Sequence, residues 1–278
     1  MTPERAPAEA PPAEVGSPHH RAHLLDLDGK SHTTVPLPLA FSLPVRPDLI
    51  QRAVVAAQSH RRQPHGTSPT AGLRHSVEWS GKGKGVARTP RLMGSMRGAQ
   101  SPNTVSGRPA HPPRVETIWG KKVNRTERRL AFASALAATR EAKLAAARGH
   151  LLPHGAALPY VLDDPVEGIR TAKEARTLLE HLKLWPDVRR AQDGTHLRNS
   201  GRARRRGRVR RTPRSLLVVT SAPGKAGGFR NLAGVDVVPI GRLSTEDLAP
   251  GGVPGRLTVF SRSAVESLRQ RLGEEAVA

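Results

Sequence analysis

The apolar positions along the chain change period several times, and each change predicts an element. His23–Leu27 reads as a short strand, Asp28-Gly29-Lys30 as a turn, and Thr33–Leu39 as a returning strand broken by Pro36 and Pro38. Pro47-Asp48 opens a helix whose Leu49, Ile50, Ala53, Val54 and Ala57 share one face, fading near Ser59. Asn124 with Glu127 has the spacing of a capping box and predicts one long helix to about Arg148, with Gly149 as its stop. Tyr160–Leu162 is a strand that ends in the turn Asp163-Asp164-Pro165. Thr171 with Glu174 opens a helix carrying Ala175, Leu178, Leu179 and Leu182. Trp185-Pro186 ends that helix, and a short helical piece runs on to Gln192. Further on, Ser215–Thr220, Val235–Ile240 and Leu257–Phe260 are continuous apolar runs, the pattern of strands buried on both faces of a parallel sheet. Between and after them come a helical piece at Phe229–Leu232, a capped turn at Ser244 and Asp247, and a last helix. Ser263 and Glu266 should cap that helix, which has Val265, Leu268 and Leu272 on one side. Strands alternating with helices imply right-handed crossovers and a three-layer α/β/α domain, its largely parallel sheet of about four strands.

Two stretches refuse this pattern. Residues 60–114 have no sustained apolar period, and they hold ten Lys or Arg, eight Gly and a single acid, Glu78. Residues 189–214 hold eleven Arg and one acid. The expected organisation is a disordered arm over residues 1–20, one α/β domain over 21–272 carrying both basic segments as insertions, and a tail over 273–278. A loop as long as the first insertion belongs in a compact domain only if the loop is functional. Its large apolar side chains are few, so it is expected not to pack on itself and to order on a polyanion.

Charge decides the partner class. Forty-five Lys and Arg against 23 acids give a formal net charge of +22 and a pI near 11.7, which points to nucleic acid. Aromatics make up only 3%, so folded RNA read through phosphates and shape is favoured over base-stacking platforms. The absence of cysteine excludes disulfides and thiolate metal sites. No apolar run is long enough for a membrane span, and residues 2–18 lack a signal-peptide core. Catalytic signals are weak. Gly81-Lys82-Gly83-Lys84-Gly85 lacks the spacing of a nucleotide loop, the twelve His have no metal-ligand spacing, and Asp163-Asp164 reads as turn chemistry. A basic α/β enzyme that modifies or cleaves RNA stays as the alternative. Neither a cofactor nor a metal is expected.

The cations expected to meet phosphate are Arg61, Arg62, Arg74, Lys82, Lys84, Arg88, Arg91, Arg97, Arg108 and Arg114 in the first segment. Lys121, Lys122, Arg125 and Arg128 follow it, and Arg202, Arg204, Arg205, Arg206, Arg208, Arg210 and Arg211 form the second block. Here the residues meet a known family. Gly83-Lys84-Gly85-Val86-Ala87-Arg88-Thr89-Pro90-Arg91 and Gly107-Arg108-Pro109-Ala110-His111-Pro112-Pro113 resemble the long loop of the universal large-subunit ribosomal protein four family. The archaeal type fits best, because the chain stops soon after its last helix. Lys121-Lys122-Val123-Asn124, the run from Gly201 through Arg211 into Ser215-Leu216-Leu217-Val218-Val219, and Asn231–Val237 are also similar to it. The resemblance implies a cytoplasmic, non-enzymatic constituent of the large ribosomal subunit. Its partners would be large-subunit rRNA, neighbouring ribosomal proteins and the nascent peptide, not a membrane or a second copy. It also implies a role in subunit assembly and a loop that helps line the peptide exit tunnel, with Met93, Gly94, Ser95, Met96 and Arg97 at the tip.

Overall fold

The computed structural model describes residues 21–272 apart from residues 80 and 198–199; the expected arm and tail lie outside the described residues. The strands, in chain order, are β1 (Arg21–Leu25), β2 (Ser31–Pro36), β3 (Val77–Trp79), β4 (Pro90–Leu92), β5 (Tyr160–Leu162), β6 (His196–Leu197), β7 (Arg210–Arg211), β8 (Leu217–Thr220), β9 (Asp236–Pro239) and β10 (Thr258–Ser261). The helices are α1 (Pro47–His60), α2 (Arg125–Ala138), α3 (Ala142–Ala147), α4 (Ala172–His181), α5 (Trp185–Asp193), α6 (Arg202–Arg205), α7 (Thr245–Leu248) and α8 (Arg262–Leu272). The chain divides into two compact units, one from residues up to Ala57 together with those from Lys122 onward, the other Gln58–Lys121.

The first unit is built on one mixed sheet of order β2-β1-β5-β10-β8-β9. All neighbours run parallel except the β1–β2 hairpin. The sheet has six strands where about four were expected. The hairpin adds to it because Ala22 and Leu24 alternate inward, and Leu24 sits level with Val161 of β5. Asp26–Lys30 closes the hairpin, with Gly29 at φ +77° and its N–H donated to the Asp26 carbonyl at 3.0 Å.

Side-chain alternation splits the sheet into two cores, which makes the fold three-layered. Val161, Leu217, Val219 and Phe260 face α1, α2 and α8. Tyr160, Leu162, Leu216, Val218 and Val259 face α4 and α5. A strand buried on both faces must be apolar at every position, which is why these segments read as continuous runs.

Three local expectations need correction. The long Ala-rich helix is broken into α2 and α3. Buried Thr139 donates both its N–H (3.0 Å) and its Oγ1 hydroxyl (2.7 Å) to the Leu136 carbonyl, tightening the turn, and a new helix starts on the Glu141 carbonyl. Asn124 stands at the start of α2, but its side chain makes no capping hydrogen bond. The last helix is capped by Ser261 rather than Ser263: the Ser261 hydroxyl accepts from the Ala264 N–H at 3.2 Å, while Glu266 pairs with Arg262. Thr171 does cap α4, and Ser244 with Asp247 forms a complete capping box.

Candidate nucleic-acid interface

The first basic segment falls within the unit Gln58–Lys121 and has more local order than its composition suggested. β3 and β4 pair antiparallel, Val77 opposite Leu92, Glu78 opposite Arg91 and Trp79 opposite Pro90. Gly81–Gly85 lies in their connection, with Gly81, Gly83 and Gly85 all at positive φ and open space around each. Beyond β4 the chain turns at Met93–Met96: Leu92 N–H donates to the Arg97 carbonyl at 3.0 Å, and Gly94 takes φ +75°. Met93 and Met96 remain exposed at this turn. The chain then folds back on itself. Ala99 is buried, and the Gln100 side-chain amide donates to the carbonyls of Leu73 (3.1 Å) and His75 (2.7 Å). Glycine is required where Gly107 passes Ser101, since a Cβ there would lie 1.9 Å from the Ser101 carbonyl oxygen. The expectation that this stretch would not pack on itself is therefore overturned: side-chain-to-backbone hydrogen bonds and close glycine approaches do the work that an apolar core could not.

At the ends of the same unit, Arg62 lies over the Trp119 ring at 4.0 Å, and His65 stacks on that ring with centroids 5.1 Å apart. His60 Nε2 is 3.2 Å from the Lys121 carbonyl oxygen, and the Lys121 N–H donates to the Ser59 hydroxyl at 2.8 Å. Arg62 is thus an exposed cation held in a fixed direction by an indole face.

Of the cations named from sequence in this segment, Arg61, Arg62, Arg74, Lys82, Lys84, Arg88, Arg97, Arg108 and Arg114 are exposed. Arg91 differs. It is half-buried and donates to the Met96 and Ala87 carbonyls, so it braces the Met93–Met96 turn. Lys121, Lys122, Arg125 and Arg128 are exposed in the first unit or at its border.

The second basic segment is divided. Arg189 and Arg190 belong to α5, and Arg190 is committed inward, to Asp187 Oδ1 at 2.9 Å and the Arg214 carbonyl at 3.1 Å. The remainder is a short ribbon in which β6 and β7 pair antiparallel, with one helical turn, α6, between them. Arg202, Arg204, Arg205, Arg206, Arg208, Arg210 and Arg211 are all exposed. Concentrated like charge of this kind is tolerable where a polyanion neutralises it.

Three buried polar centres lie within the first unit, and none was anticipated. Glu167 accepts from the Ser221 N–H (2.6 Å), the hydroxyls of Ser221 (2.9 Å), Ser261 (2.7 Å) and Ser263 (3.3 Å), and Lys225 Nζ (2.5 Å). Burial would raise its pKa, but these donors, Lys225 foremost, hold it at about 2. Asp187 is fully buried and accepts from His150 Nδ1 (3.0 Å), the Leu151 N–H (3.0 Å), Arg190 Nε (2.9 Å) and the Ser215 hydroxyl (2.7 Å). Its burial is likewise outweighed by these partners, and its carboxyl lies far below the usual range. Arg256 is buried and donates to the carbonyls of Ser215, Asp247 and Leu216 and to Asp236 Oδ2 at 2.6 Å. Of the sequence-read acid pair, Asp164 takes part nearby, accepting from the distant Ser263 N–H at 3.0 Å. No local sequence signal marks these centres, because their partners lie 54–96 positions away for Glu167.

An α/β unit together with two segments rich in exposed cations has the character of a polyanion-binding protein of the RNA-binding class. Comparison with known proteins is specific: residues 35–271 match the Ribosomal protein L4/L1 family, and the chain belongs to that family. A Large ribosomal subunit protein uL4 of Pyrobaculum aerophilum is 46% identical over 257 residues, covering 91% of this chain and 90% of the relative. The protein of the same description from Methanopyrus kandleri is 45% identical over 259 residues, covering 91% and 99%. That from Haloquadratum walsbyi is 45% identical over 247 residues, covering 88% and 98%. Family membership sets aside the enzyme alternative.

Proposed function

We propose that this protein is a structural constituent of the large ribosomal subunit in the cytoplasm, where it binds large-subunit rRNA and neighbouring ribosomal proteins. The observation that carries the reading is the family match over residues 35–271, joined to the exposure of nearly every cation the sequence marked for phosphate. In this reading residues 21–272 are the rRNA-binding part, with residues 60–114 directed to the exit tunnel and residues 189–214 as a second anchor. The body supplies a fixed platform, and counterion release from neutralised phosphates supplies much of the affinity. Met93–Arg97 faces the nascent peptide, and the exposure of Met93 and Met96 on a turn braced by Arg91 supports that placement. The protein acts as a single copy and supports subunit assembly. Sedimentation of cell extract tests the main reading. The protein should travel with the large subunit, and its recovery mainly in the free fraction or with the small subunit would overturn it.

A further inference from the structure

The chain has eight Phe, Trp and Tyr side chains, and among the described residues only one of them is exposed. Trp79 is 70% exposed, whereas Phe41, Phe229, Phe260 and Tyr160 are buried and Phe132, Trp119 and Trp185 are half-buried. An indole is a large apolar surface to leave in water, and a strand end can ordinarily carry a polar residue there at no cost.

Its setting is particular. Trp79 is the last residue of β3, opposite the buried Pro90, and alternation along the hairpin places it on the same face as Val77 and Leu92. The Gly81–Gly85 connection follows in the chain, where Lys82 and Lys84 are exposed and open space surrounds each of the three glycines. Glu78 and Arg91 occupy the opposite face of the hairpin. From Trp79 to Val115 the chain contains no acid. A flat apolar ring is therefore followed within five residues of the chain by two exposed point cations.

We infer that Trp79 is a stacking anchor for one unpaired base of rRNA, with Lys82 and Lys84 on the phosphates that flank it. A nucleic acid supplies both halves of this chemistry, the π-face for the indole and the anions for the lysines. A protein partner would have to bring two acids to the same small area. The low aromatic content of the chain argues against a continuous stacking platform, and a single anchor on a hairpin needs only one ring. This inference rests on the rRNA-binding reading above and names a partner group within it.

The test uses the full chain and a transcript of large-subunit rRNA in filter binding across a salt series, with Trp79→Ala, Trp79→Phe and the double variant Lys82→Ala/Lys84→Ala. Trp79 is exposed, so its variants should fold, and circular dichroism verifies this. Trp79→Ala should weaken binding by about 5- to 150-fold with the salt slope unchanged. Trp79→Phe should keep most of the affinity, because a phenyl ring also stacks. The lysine pair should instead lower the salt slope by about 1.4 to 1.8. Unchanged affinity of Trp79→Ala, while the lysine variant weakens, overturns the stacking anchor and leaves the rRNA reading standing. Loss of a neighbouring large-subunit protein from Trp79→Ala subunits, without a change in RNA affinity, also overturns it and assigns the ring to a protein contact. Failure of the unaltered chain to bind the transcript removes the rRNA reading, and the inference falls with it.

Discussion

Replacing Glu167 with Gln removes the charge from a carboxylate that joins three separate parts of the body. Glu167 lies in the 3-10 turn Asp164–Gly168 and gathers donors from Ser221, Lys225, Ser261 and Ser263. Its pKa falls from an ordinary 4.5 to about 2. At about 1.4 kcal/mol per unit, that is about 3 kcal/mol of stability held by the ionised form. The sign follows from the depression. Above the ordinary carboxylate range both folded and unfolded states are ionised, and the contribution is complete. As the pH falls from about 4.5 toward 2, the unfolded chain takes up the proton first and the contribution is lost. Urea unfolding of the wild type and of Glu167→Gln between pH 7 and pH 2 gives a difference curve from which the other acids cancel. The variant should be less stable by about 2–4 kcal/mol at pH 7, and the two proteins should converge near pH 2. A constant offset over this range, or an offset below about 1 kcal/mol at pH 7, would refute the assignment of Glu167 as a charge that holds the layers together.

Two further outcomes are expected. Replacing Arg204, Arg205 and Arg206 together with Ala should lower the salt slope of rRNA binding by about 2–3 and reduce incorporation into subunits, while unfolding in urea stays within about 0.5 kcal/mol of wild type. Gly234→Ala should destabilise the body by more than about 2 kcal/mol in the same unfolding assay. Gly234 has φ +72°, and a Cβ there would lie 2.3 Å from the Pro213 carbonyl oxygen, so neither the backbone nor its neighbour can yield cheaply.

Much of the architecture was legible because it is written in local periods. The apolar runs read at Ser215–Thr220 and Leu257–Phe260 suit strands covered on both faces, and the observed strands Leu217–Thr220 and Thr258–Ser261 fall on them. Thr171 and the Ser244–Asp247 box are local hydrogen-bond chemistry and appear where their spacing placed them. The cap on α8 was misplaced by two residues because Ser261 and Ser263 carry the same hydroxyl. The choice between them depends on where β10 ends, and that is set by its pairing with β5 and β8. The break after Ala138 has a similar cause: Thr139 in a helix can point outward or bond back, and its burial decided.

By itself, then, the sequence determined the class of the main elements of the body, the two basic segments and the polyanion they require, since period and charge depend only on neighbours in the chain. The tertiary structure decided everything that needs a partner from far away. It set the strand order with its antiparallel β2 edge, and it placed Glu167, Asp187 and Arg256 as buried charges with full sets of partners. It also engaged Arg91 with two carbonyls of its own turn and left Trp79 uncovered. A side chain's chemistry is fixed by its identity, but whether it is buried, paired or free to meet RNA depends on segments that only folding brings beside it.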